Sequence, residues 1–430
     1  MIKIGLLGLG TVGSGVYEII RDKKDKLKKA TGKNIEISKI LVRDKNKDRG
    51  LNIDQSILTE NADEIINDPN IDIIVEVMGG IDKAYSYISK SLKNGKHVVT
   101  ANKAVISLHI DELHNLAKEN NKGLLFEASV GGGIPVIKGL KEAIKINDVD
   151  NIKGILNGTT NFILSKMCDE NLSFDEALDL AHKLGYAEAD PTDDVEGYDA
   201  ARKISILASL AFNTNASISD VMCRGITSIS PLDIKNFKLM GLVAKLIGSA
   251  TIDGNEFSAS VEPILVDESA PFASVKDAFN IVSVEGCTVG ELQFYGQGAG
   301  KDPTANAVVT DIIDIINESY KEYEYICNDS IKSGGTKLFK GNYYMRVSPN
   351  NVNEIPKIVN NLNKSGLEFK VIESDKDLVL ITEQISSDQM EAIMNDLDLP
   401  QNSYSYLRIE SNNISSIHDI DFGNTDSFAM

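Results

Sequence analysis

The first third of the chain alternates short apolar runs with stretches in which apolar residues recur at helical spacing. Five short segments are expected to be buried strands, and the first of them is apolar and β-branched: 2–7, 35–42, 71–77, 96–99 and 124–127. Helical patterns lie between them, for example at 11–29 and 82–93. Alternating strands and helices predict a parallel sheet with helical crossovers. We therefore expect a doubly wound α/β domain of the dinucleotide-binding type over residues 1–133.

The pattern changes in the remaining two thirds of the chain. Residues 160–245 are rich in helical periodicity, and residues 246–296 alternate like antiparallel strands, so 134–330 is expected to be an α+β substrate domain. A polar, glycine-rich stretch at 331–341 reads as a linker. Residues 341–415 then follow the order β-α-β-β-α-β, which is typical of a ferredoxin-like domain. The polar residues 412–430 are expected to fray.

Composition narrows the classes of function. The 430 residues include 63 acids and 44 bases, for a net charge of −19, so a nucleic-acid partner is not expected. No apolar run approaches the ~18 residues of a membrane span, and we expect a cytoplasmic protein without a membrane partner. The four widely separated cysteines favour free thiols in a reducing compartment, and the histidines form no metal pattern.

A glycine motif follows the first predicted strand and opens the first predicted helix. Gly8, Gly10 and Gly13 have the G-x-G-x-x-G spacing, with Thr11 and Val12 between the last two glycines. A dinucleotide pyrophosphate needs backbone N–H donors, a helix N-terminus and no side chain in the way. Glycines also mark tight turns, but the strand–turn–helix context favours dinucleotide binding.

Two basic residues near predicted strand ends are candidates for cofactor contacts. Arg43 comes just after the second strand, where an arginine suits the 2′-phosphate of NADP(H) and an acid suits NAD(H). We therefore favour NADP(H), with NAD(H) possible; the alternative is a solvent-facing arginine paired with Asp44. Lys103 also follows a strand end and can reach substrate or cofactor, although alone it reads as a surface lysine at a helix start.

An irregular turn is expected where residues 127–135 place three glycines and a proline after a strand. Such a turn can point several backbone carbonyls at a hard monovalent cation. The alternative is a flexible hinge between domains, and spacing alone favours the hinge.

The segment 184–205 carries most of the candidate chemistry. Asp199 and Lys203 are four residues apart, so they share one helical face. The alternative is an ordinary surface ion pair, but the surrounding helix is largely apolar, which places the pair in a cleft. Carboxylates there suit the α-ammonium of an amino-acid substrate, and the lysine suits a reacting oxygen.

Several blocks together resemble the signature segments of homoserine dehydrogenases. They occur in order at 8–13, 101–104, 130–135, 157–161, 184–191, 197–203 and 296–300, and the resemblance covers about residues 1–320. It implies a monofunctional enzyme that interconverts L-aspartate 4-semialdehyde and L-homoserine with NAD(P)H, in the biosynthesis of threonine, methionine and isoleucine. The rival interpretations are another reductase on the same scaffold and a non-catalytic sensor of amino acids and dinucleotides.

The resemblance also implies roles for individual residues. Lys203 matches the acid/base lysine of the family, and Lys103 matches a second essential lysine that positions substrate and cofactor. Glu188 and Asp199 match residues that bind homoserine, and Asp194 matches a further acid of the active site.

Two glycines and a set of carbonyls complete the implied site. Gly185 and Gly300 occupy family positions near substrate and cofactor. The family's sodium site matches the backbone carbonyls of four residues, which reverses the preference for a hinge at this turn: Glu127, Val130, Gly132 and Ile134.

The C-terminal segment resembles an ACT domain, an amino-acid-sensing module found in this family. Such modules usually carry Asp-x-Pro-Gly-Val after their first strand, whereas this chain has Ser348-Pro349-Asn350-Asn351-Val352. Asparagine tolerates positive φ less well than glycine, so binding of an amino-acid effector such as threonine competes with a purely structural role. A homodimer or homotetramer is expected.

Overall fold

The computed structural model of the chain describes residues 1–322, 325, 327–373, 376–400 and 403–411. These residues form two compact units. The first unit contains residues 1–149, 205–218 and 282–330, and the second contains 150–204, 219–281 and the described residues from 331 onward. The chain therefore changes unit several times, whereas the predicted ranges 1–133, 134–330 and 341–415 are continuous. Those ranges stay predictions, and residues 412–415 lie outside the described part of the chain.

The helices and strands up to residue 149 all belong to the first unit. They are β1 (Ile2–Leu7), α1 (Thr11–Asp22), α2 (Lys24–Thr31), β2 (Ile35–Leu41), β3 (Leu58–Thr59), α3 (Asp63–Ile66), β4 (Ile73–Glu76), α4 (Asp82–Lys93), β5 (His97–Thr100), α5 (Lys103–Glu119), β6 (Leu124–Leu125) and α6 (Val136–Ala143).

The middle of the chain contributes to both units. Its elements are β7 (Val149–Ile155), α7 (Gly158–Glu170), α8 (Phe174–Leu184), α9 (Thr192–Val195), α10 (Tyr198–Phe212), β8 (Val221–Cys223), α11 (Pro231–Leu239), β9 (Leu242–Asp253), β10 (Glu256–Asp267), α12 (Pro271–Ser274), β11 (Phe279–Gly286), β12 (Gly290–Gln297) and α13 (Lys301–Ile316).

The C-terminal elements belong to the second unit. They are β13 (Lys332–Ser333), β14 (Lys340–Val347), α14 (Ile355–Lys364), β15 (Phe369–Glu373), β16 (Leu378–Thr382), β17 (Ile385–Ser386), α15 (Ser387–Asp396) and β18 (Tyr404–Glu410).

The sheet of the first unit has the strand order β3-β2-β1-β4-β5-β6, and every neighbouring pair is parallel. This is the doubly wound order of dinucleotide-binding domains, so the predicted fold of the N-terminal part is confirmed. The strand order reverses between β1 and β4, and ligands bind such sheets at this switch point, beyond the carboxyl ends of the strands. The glycine motif leaves β1 at that point.

The sheet of the second unit is mixed. It runs in the order β7-β9-β10-β18-β14-β16-β15. Strands β9 and β10 pair antiparallel along twelve residues each, whereas β10 and β18 pair in parallel. Strand β13, inside the predicted linker, also pairs with β10, so this stretch is partly strand rather than a free connection.

The C-terminal elements follow the predicted ferredoxin-like order, with the short β17 added before α15. Their strands lie in the order β18-β14-β16-β15. One face of these strands packs against α14 and α15 through a separate apolar core of Met345, Leu362, Leu380 and Met390. The parallel pairing of β18 with β10 makes these strands part of the same sheet as β9 and β10, which a separate domain after a linker would not require. Within the described residues, no helix is long and apolar enough to cross a bilayer.

Candidate active site

The turn between β1 and α1 is closed by glycines. Gly8 has φ 104°, and a Cβ built on it would lie 2.9 Å from the carbonyl oxygen of Val77, which follows β4. A Cβ on Gly13 would collide with the Gly8 carbonyl oxygen. Gly10 precedes α1, and a Cβ there would meet no protein atom within 4 Å. The turn thus needs two of its glycines for its own packing, while the third leaves the N-terminus of α1 open to an anion.

Helix α13 packs directly on α1. A Cβ on Gly15 would lie 2.8 Å from the Cβ of Ala305, and Lys301 forms an ion pair with Glu18. Gly300, with φ 123°, is the residue that precedes α13. The structure therefore brings the start of α13, which Gly300 precedes, against α1, the helix that the glycine turn opens.

The turn predicted at 127–135 packs against the segment before α13. Gly132 has φ 55°, and a Cβ on it would collide with the carbonyl oxygen of Gly298. Gly133 N donates to Gln297 O at 3.2 Å. The two irregular segments therefore hold each other in place, through the close approach of Gly132 to Gly298 and the hydrogen bond from Gly133 to Gln297.

The Glu127 carboxylate ties this turn to helix α6. Its two oxygens accept hydrogen bonds from Ile137 N and Lys138 N, each at 2.8 Å, while Glu127 N donates to Asp311 Oδ2 at 2.9 Å. Burial raises the pKa of the Glu127 carboxyl to about 7, against the opposing effect of these hydrogen bonds. The side chain thus caps α6, and the group of Glu127 that the resemblance assigns to a cation is its backbone carbonyl.

The four carbonyls that the resemblance assigns to sodium differ in their hydrogen bonds. Glu127 O accepts from Val130 N at 3.3 Å, and Ile134 O accepts from Val136 N at 2.8 Å. Within the described part of the chain, the carbonyls of Val130 and Gly132 accept no hydrogen bond. No cluster of three or more acidic, cysteine or histidine side chains suited to a metal occurs among these residues either. A backbone-carbonyl site for a hard cation is therefore chemically consistent with this turn.

Lys103 is the first residue of α5, directly after β5. The side chain of Asn102 caps this helix by accepting from Val105 N at 3.2 Å, and its Nδ2 donates to Gly80 O at 2.8 Å. Behind it, Thr100 donates to the buried carboxyl of Glu76 at 2.6 Å. Lys103 is half-buried, and it lies at the carboxyl edge of the sheet, as the sequence predicted.

Arg43 lies two residues beyond the end of β2 and is exposed. Asp44 uses Oδ1 to accept from Asn46 N at 2.8 Å, and the ion pairs found among the described residues do not include Arg43 with Asp44. The alternative of a paired surface arginine is therefore not what the structure has, and the guanidinium is available to a ligand.

In the second unit, Lys203 and Asp199 form a buried ion pair on α10. Lys203 Nζ donates to Asp199 Oδ2 at 2.6 Å and to Leu156 O at 2.7 Å, and the side chains are only 11% and 9% exposed. The pair is thus not the ordinary surface contact that is common at this spacing. An ammonium has three N–H donors, and among the described residues only these two acceptors lie on it, so one donor remains for a ligand.

Asn157, to which sequence reasoning gave no role, holds the acids together. Its Nδ2 donates to Asp194 Oδ1 at 2.6 Å and to Asp199 Oδ2 at 2.9 Å. Its Oδ1 caps α7 by accepting from Thr160 N at 2.9 Å. Two signals were present in the sequence: residues 157–161 form one of the blocks of the resemblance, and an asparagine three residues before a threonine at a helix start predicts the cap. Neither predicts the contact with distant acids.

The carboxyl of Asp194 is tuned by its surroundings. Burial raises the pKa of Asp194, and the charge of Asp199 raises it further, whereas the hydrogen bond from Asn157 and the charge of Lys203 oppose the rise. The hydrogen bonds from Asn157 and Lys203 bring Asp194, Asp199 and Lys203 together in one cluster around Asn157, as the sequence predicted.

Glu188 and Gly185 lie in the loop after α8. Gly185 ends that helix in the left-handed conformation, which is a structural role. Glu188 is exposed, and Thr159 Oγ1 anchors its loop by donating to Tyr186 O at 2.8 Å. Since Thr159 lies in the turn that Asn157 caps, the Glu188 loop is attached next to the acidic cluster, but no contact of Glu188 with Lys203 is formed.

Comparisons with known proteins place the chain in one family. Residues 8–127 match the model of the homoserine dehydrogenase NAD-binding domain, and residues 135–313 match the homoserine dehydrogenase model. Homoserine dehydrogenase from Bacillus subtilis is 39% identical over 431 residues, covering 96% of this chain and 99% of the relative. The enzyme from Synechocystis is 47% identical over 319 residues, which is 73% of each chain.

Solved structures agree. A homoserine dehydrogenase from Thiobacillus denitrificans superposes with a TM-score of 0.85 at 33% identity, covering 95% of this chain and 98% of that one. The S. aureus enzyme at pH 7.0 gives 0.76 at 39% identity, with coverages of 95% and 98%. A hyperthermophilic archaeal homoserine dehydrogenase in complex with NADPH gives 0.63 at 28% identity, covering 74% of this chain and 98% of that one.

The doubly wound sheet, its glycine turn and these matches define an NAD(P)-dependent oxidoreductase. More specifically, the chain belongs to the homoserine dehydrogenase family. The activity predicted from the sequence is thereby confirmed, and the rival interpretation as a non-catalytic regulator is not favoured.

Proposed function

We propose that Lys203 is the acid and base for the reversible reduction of L-aspartate 4-semialdehyde to L-homoserine by this chain. The observation that carries this assignment is the third N–H of the buried Lys203 ammonium, which has no acceptor in the described part of the chain while the other two hold it in place. A group fixed in this way can present its proton to a ligand oxygen without reorienting.

The chemistry divides between what the cofactor supplies and what the side chains do. Bound dinucleotide supplies a hydride to the aldehyde carbon. Lys203 Nζ donates a proton to the aldehyde oxygen in reduction and, once neutral, takes the hydroxyl proton back in oxidation. Asp199 and Leu156 O orient that ammonium, and Asp194 and Glu188 are suited to the α-ammonium of the substrate because they are acids at or beside the cluster.

A substrate panel tests this proposal. Oxidation of NADPH should depend on L-aspartate 4-semialdehyde, and in the reverse direction the reduction of NADP+ should depend on L-homoserine. Semialdehydes that lack the α-ammonium should be poor substrates, since they leave the binding acids unpaired. Equal turnover of such analogues would contradict the assignment.

We further propose NADP(H) as the preferred cofactor, since Arg43 is exposed beyond the end of β2 and is not held by Asp44. Replacing Arg43 with alanine should raise KM for NADPH roughly 10- to 100-fold, the loss expected for hydrogen bonds to a charged phosphate. KM for NADH should change little. Steady-state kinetics with both cofactors measure this, and Lys47→Ala, at an exposed cation nearby, is the matched control. Equal effects on both cofactors would rule out recognition of the 2′-phosphate.

We also propose a sodium ion on the carbonyls of Glu127, Val130, Gly132 and Ile134, which would hold the turn that packs against the segment before α13. Ligand binding to the folded state raises the melting temperature by mass action. Sodium chloride should therefore raise Tm and activity above the values in choline chloride of the same ionic strength. A Tm that depends on ionic strength alone would remove the sodium site.

Finally, we propose that the ferredoxin-like strands and helices form an ACT-like domain that takes an amino-acid effector, and that the protein is a homodimer or homotetramer. The strand order β18-β14-β16-β15 supports the type of domain, and a cavity of about 440 Å³ lined by residues including Gly366, Gln384 and Gln389 gives room for an effector. Calorimetric titration with L-threonine tests the effector.

A further inference from the structure

Arg224 follows β8 and is held by groups from two other strands of the second unit. Its Nη2 donates to Glu262 Oε2 on β10 at 2.5 Å, and its Nη1 donates to Tyr406 O on β18 at 2.6 Å. The guanidinium carbon lies 3.8 Å from the centre of the Tyr406 ring. A planar fork of donors over an aromatic face is an arrangement that lysine cannot reproduce.

The partner carboxylate is part of a buried chain of charges. Glu262 is fully buried and also accepts from Arg408 Nε at 3.1 Å. Arg408 Nη1 in turn donates to Glu410 Oε1 at 2.7 Å, and Lys153 Nζ donates to Glu410 Oε2 at 2.8 Å. Buried charges are stable only with partners in good geometry, so this chain restricts Arg224 to one position.

The residues on either side of Arg224 contact the turn that precedes α10. Ile226 N donates to Val195 O at 2.9 Å. Cys223 Sγ donates to Glu196 O at 3.2 Å, and Thr227 Oγ1 donates to Glu196 Oε1 at 3.2 Å. A shift of Arg224 would therefore be passed to residues 195–196 by three direct contacts.

Residues 195–196 lie between the two acids of the catalytic cluster. Asp194 and Asp199 both accept from Asn157 Nδ2, and Asp199 accepts from Lys203 Nζ. Proton transfer depends steeply on geometry, and a displacement of about 1 Å can lower the rate by about 100-fold. The position of the turn thus sets the position of the proton donor.

We propose that Arg224 is a positioning residue through which strand β18 of the ferredoxin-like part fixes the 194–199 turn and, with it, Asp199 and Lys203. This inference rests on the function proposed above, because it assigns Arg224 to the same reaction. It also gives the C-terminal part of the chain a role in turnover that does not require an effector.

A matched pair of variants in the full-length enzyme tests the proposal. Arg224→Met removes this fork, and Arg346→Met removes a second buried pair of the same unit, between Arg346 and Asp233 at 2.9 Å, which joins β14 to α11. Both should lower Tm. Arg224→Met should also lower kcat roughly 10- to 100-fold with KM for NADPH nearly unchanged, whereas Arg346→Met should keep kcat within about twofold of the parent.

Two milder variants test the proposal if Arg224→Met does not fold. Arg224→Lys keeps the charge beside Glu262 but not the fork, and Tyr406→Leu removes the ring but keeps the backbone acceptor. Each of these variants should lose more kcat than Arg346→Met does, even where the loss of Tm is the same. Unchanged kcat in both, or an equal loss of kcat in Arg346→Met, would overturn the proposal. Activity retained by Lys203→Met would instead refute the proposed function, whatever Arg224 does.

Discussion

Replacing Lys203 with methionine should lower kcat by about 10²- to 10⁴-fold in both directions, which is the usual contribution of a positioned general acid or base. Methionine fills a similar volume but has no proton to give to the aldehyde oxygen. Asp199 loses its cation, which should lower Tm, but it keeps its hydrogen bond from Asn157 Nδ2 at 2.9 Å, so the variant should still fold. Initial rates with L-aspartate 4-semialdehyde and with L-homoserine measure the loss, and circular dichroism confirms folding.

Lys166→Met is the matched control for this experiment. Lys166 also forms an ion pair with an acid four residues away, Glu170, at 2.8 Å, but that pair lies on the surface of α7. Its removal should leave kcat unchanged, because exposed pairs contribute at most about 1 kcal/mol and this one touches no part of the cluster. Comparable activity in the parent and in Lys203→Met would withdraw the acid/base assignment.

Two alanine substitutions in the glycine turn should separate cofactor binding from folding. Gly10→Ala adds a methyl group where no protein atom lies within 4 Å and φ is −86°, so Tm should stay at the parental value. The same methyl group projects where the pyrophosphate must approach the backbone, so the Kd for NADPH should rise about 10-fold or more. Calorimetric titration measures the Kd, and thermal unfolding measures Tm.

Gly13→Ala should behave differently, because its methyl group collides with the backbone oxygen of Gly8 rather than with a ligand. It should lower both Tm and cofactor affinity, since the turn must open to accommodate it. Equal Tm losses in Gly10→Ala and Gly13→Ala, or normal NADPH binding in Gly10→Ala, would contradict the placement of the pyrophosphate at this turn.

Local patterns predicted most of the first unit. The glycine turn and helix α4 lie where the sequence placed them, because short-range steric rules and helical periodicity act within a few residues. The predicted helix over 11–29 is instead two helices, since Lys23 adopts φ −111° and ψ 27° and the residues around it offer no apolar side chain to bury.

The parts that the sequence did not predict depend on contacts between distant residues. Asn157 bridges Asp194 and Asp199, which lie 37 and 42 positions away, and no local pattern encodes such a contact. Arg224 meets Tyr406 across 182 positions for the same reason. Likewise, the pairing of β18 with β10 is set by the register of a sheet, so the sequence indicated a linker and a separate domain but not that β18 joins the sheet of β9 and β10.

The central claim is that hydride from the dinucleotide reaches the substrate carbon while Lys203 supplies the proton. Turnover of L-aspartate 4-semialdehyde with NADPH that carries deuterium at both C4 positions of the nicotinamide, followed by mass spectrometry of the product, tests it most directly. The expected result is homoserine with one deuterium on its hydroxyl-bearing carbon, formed by the parent and Lys166→Met but only in traces by Lys203→Met. Homoserine without deuterium, or equal labelling by Lys203→Met at the parental rate, would contradict it.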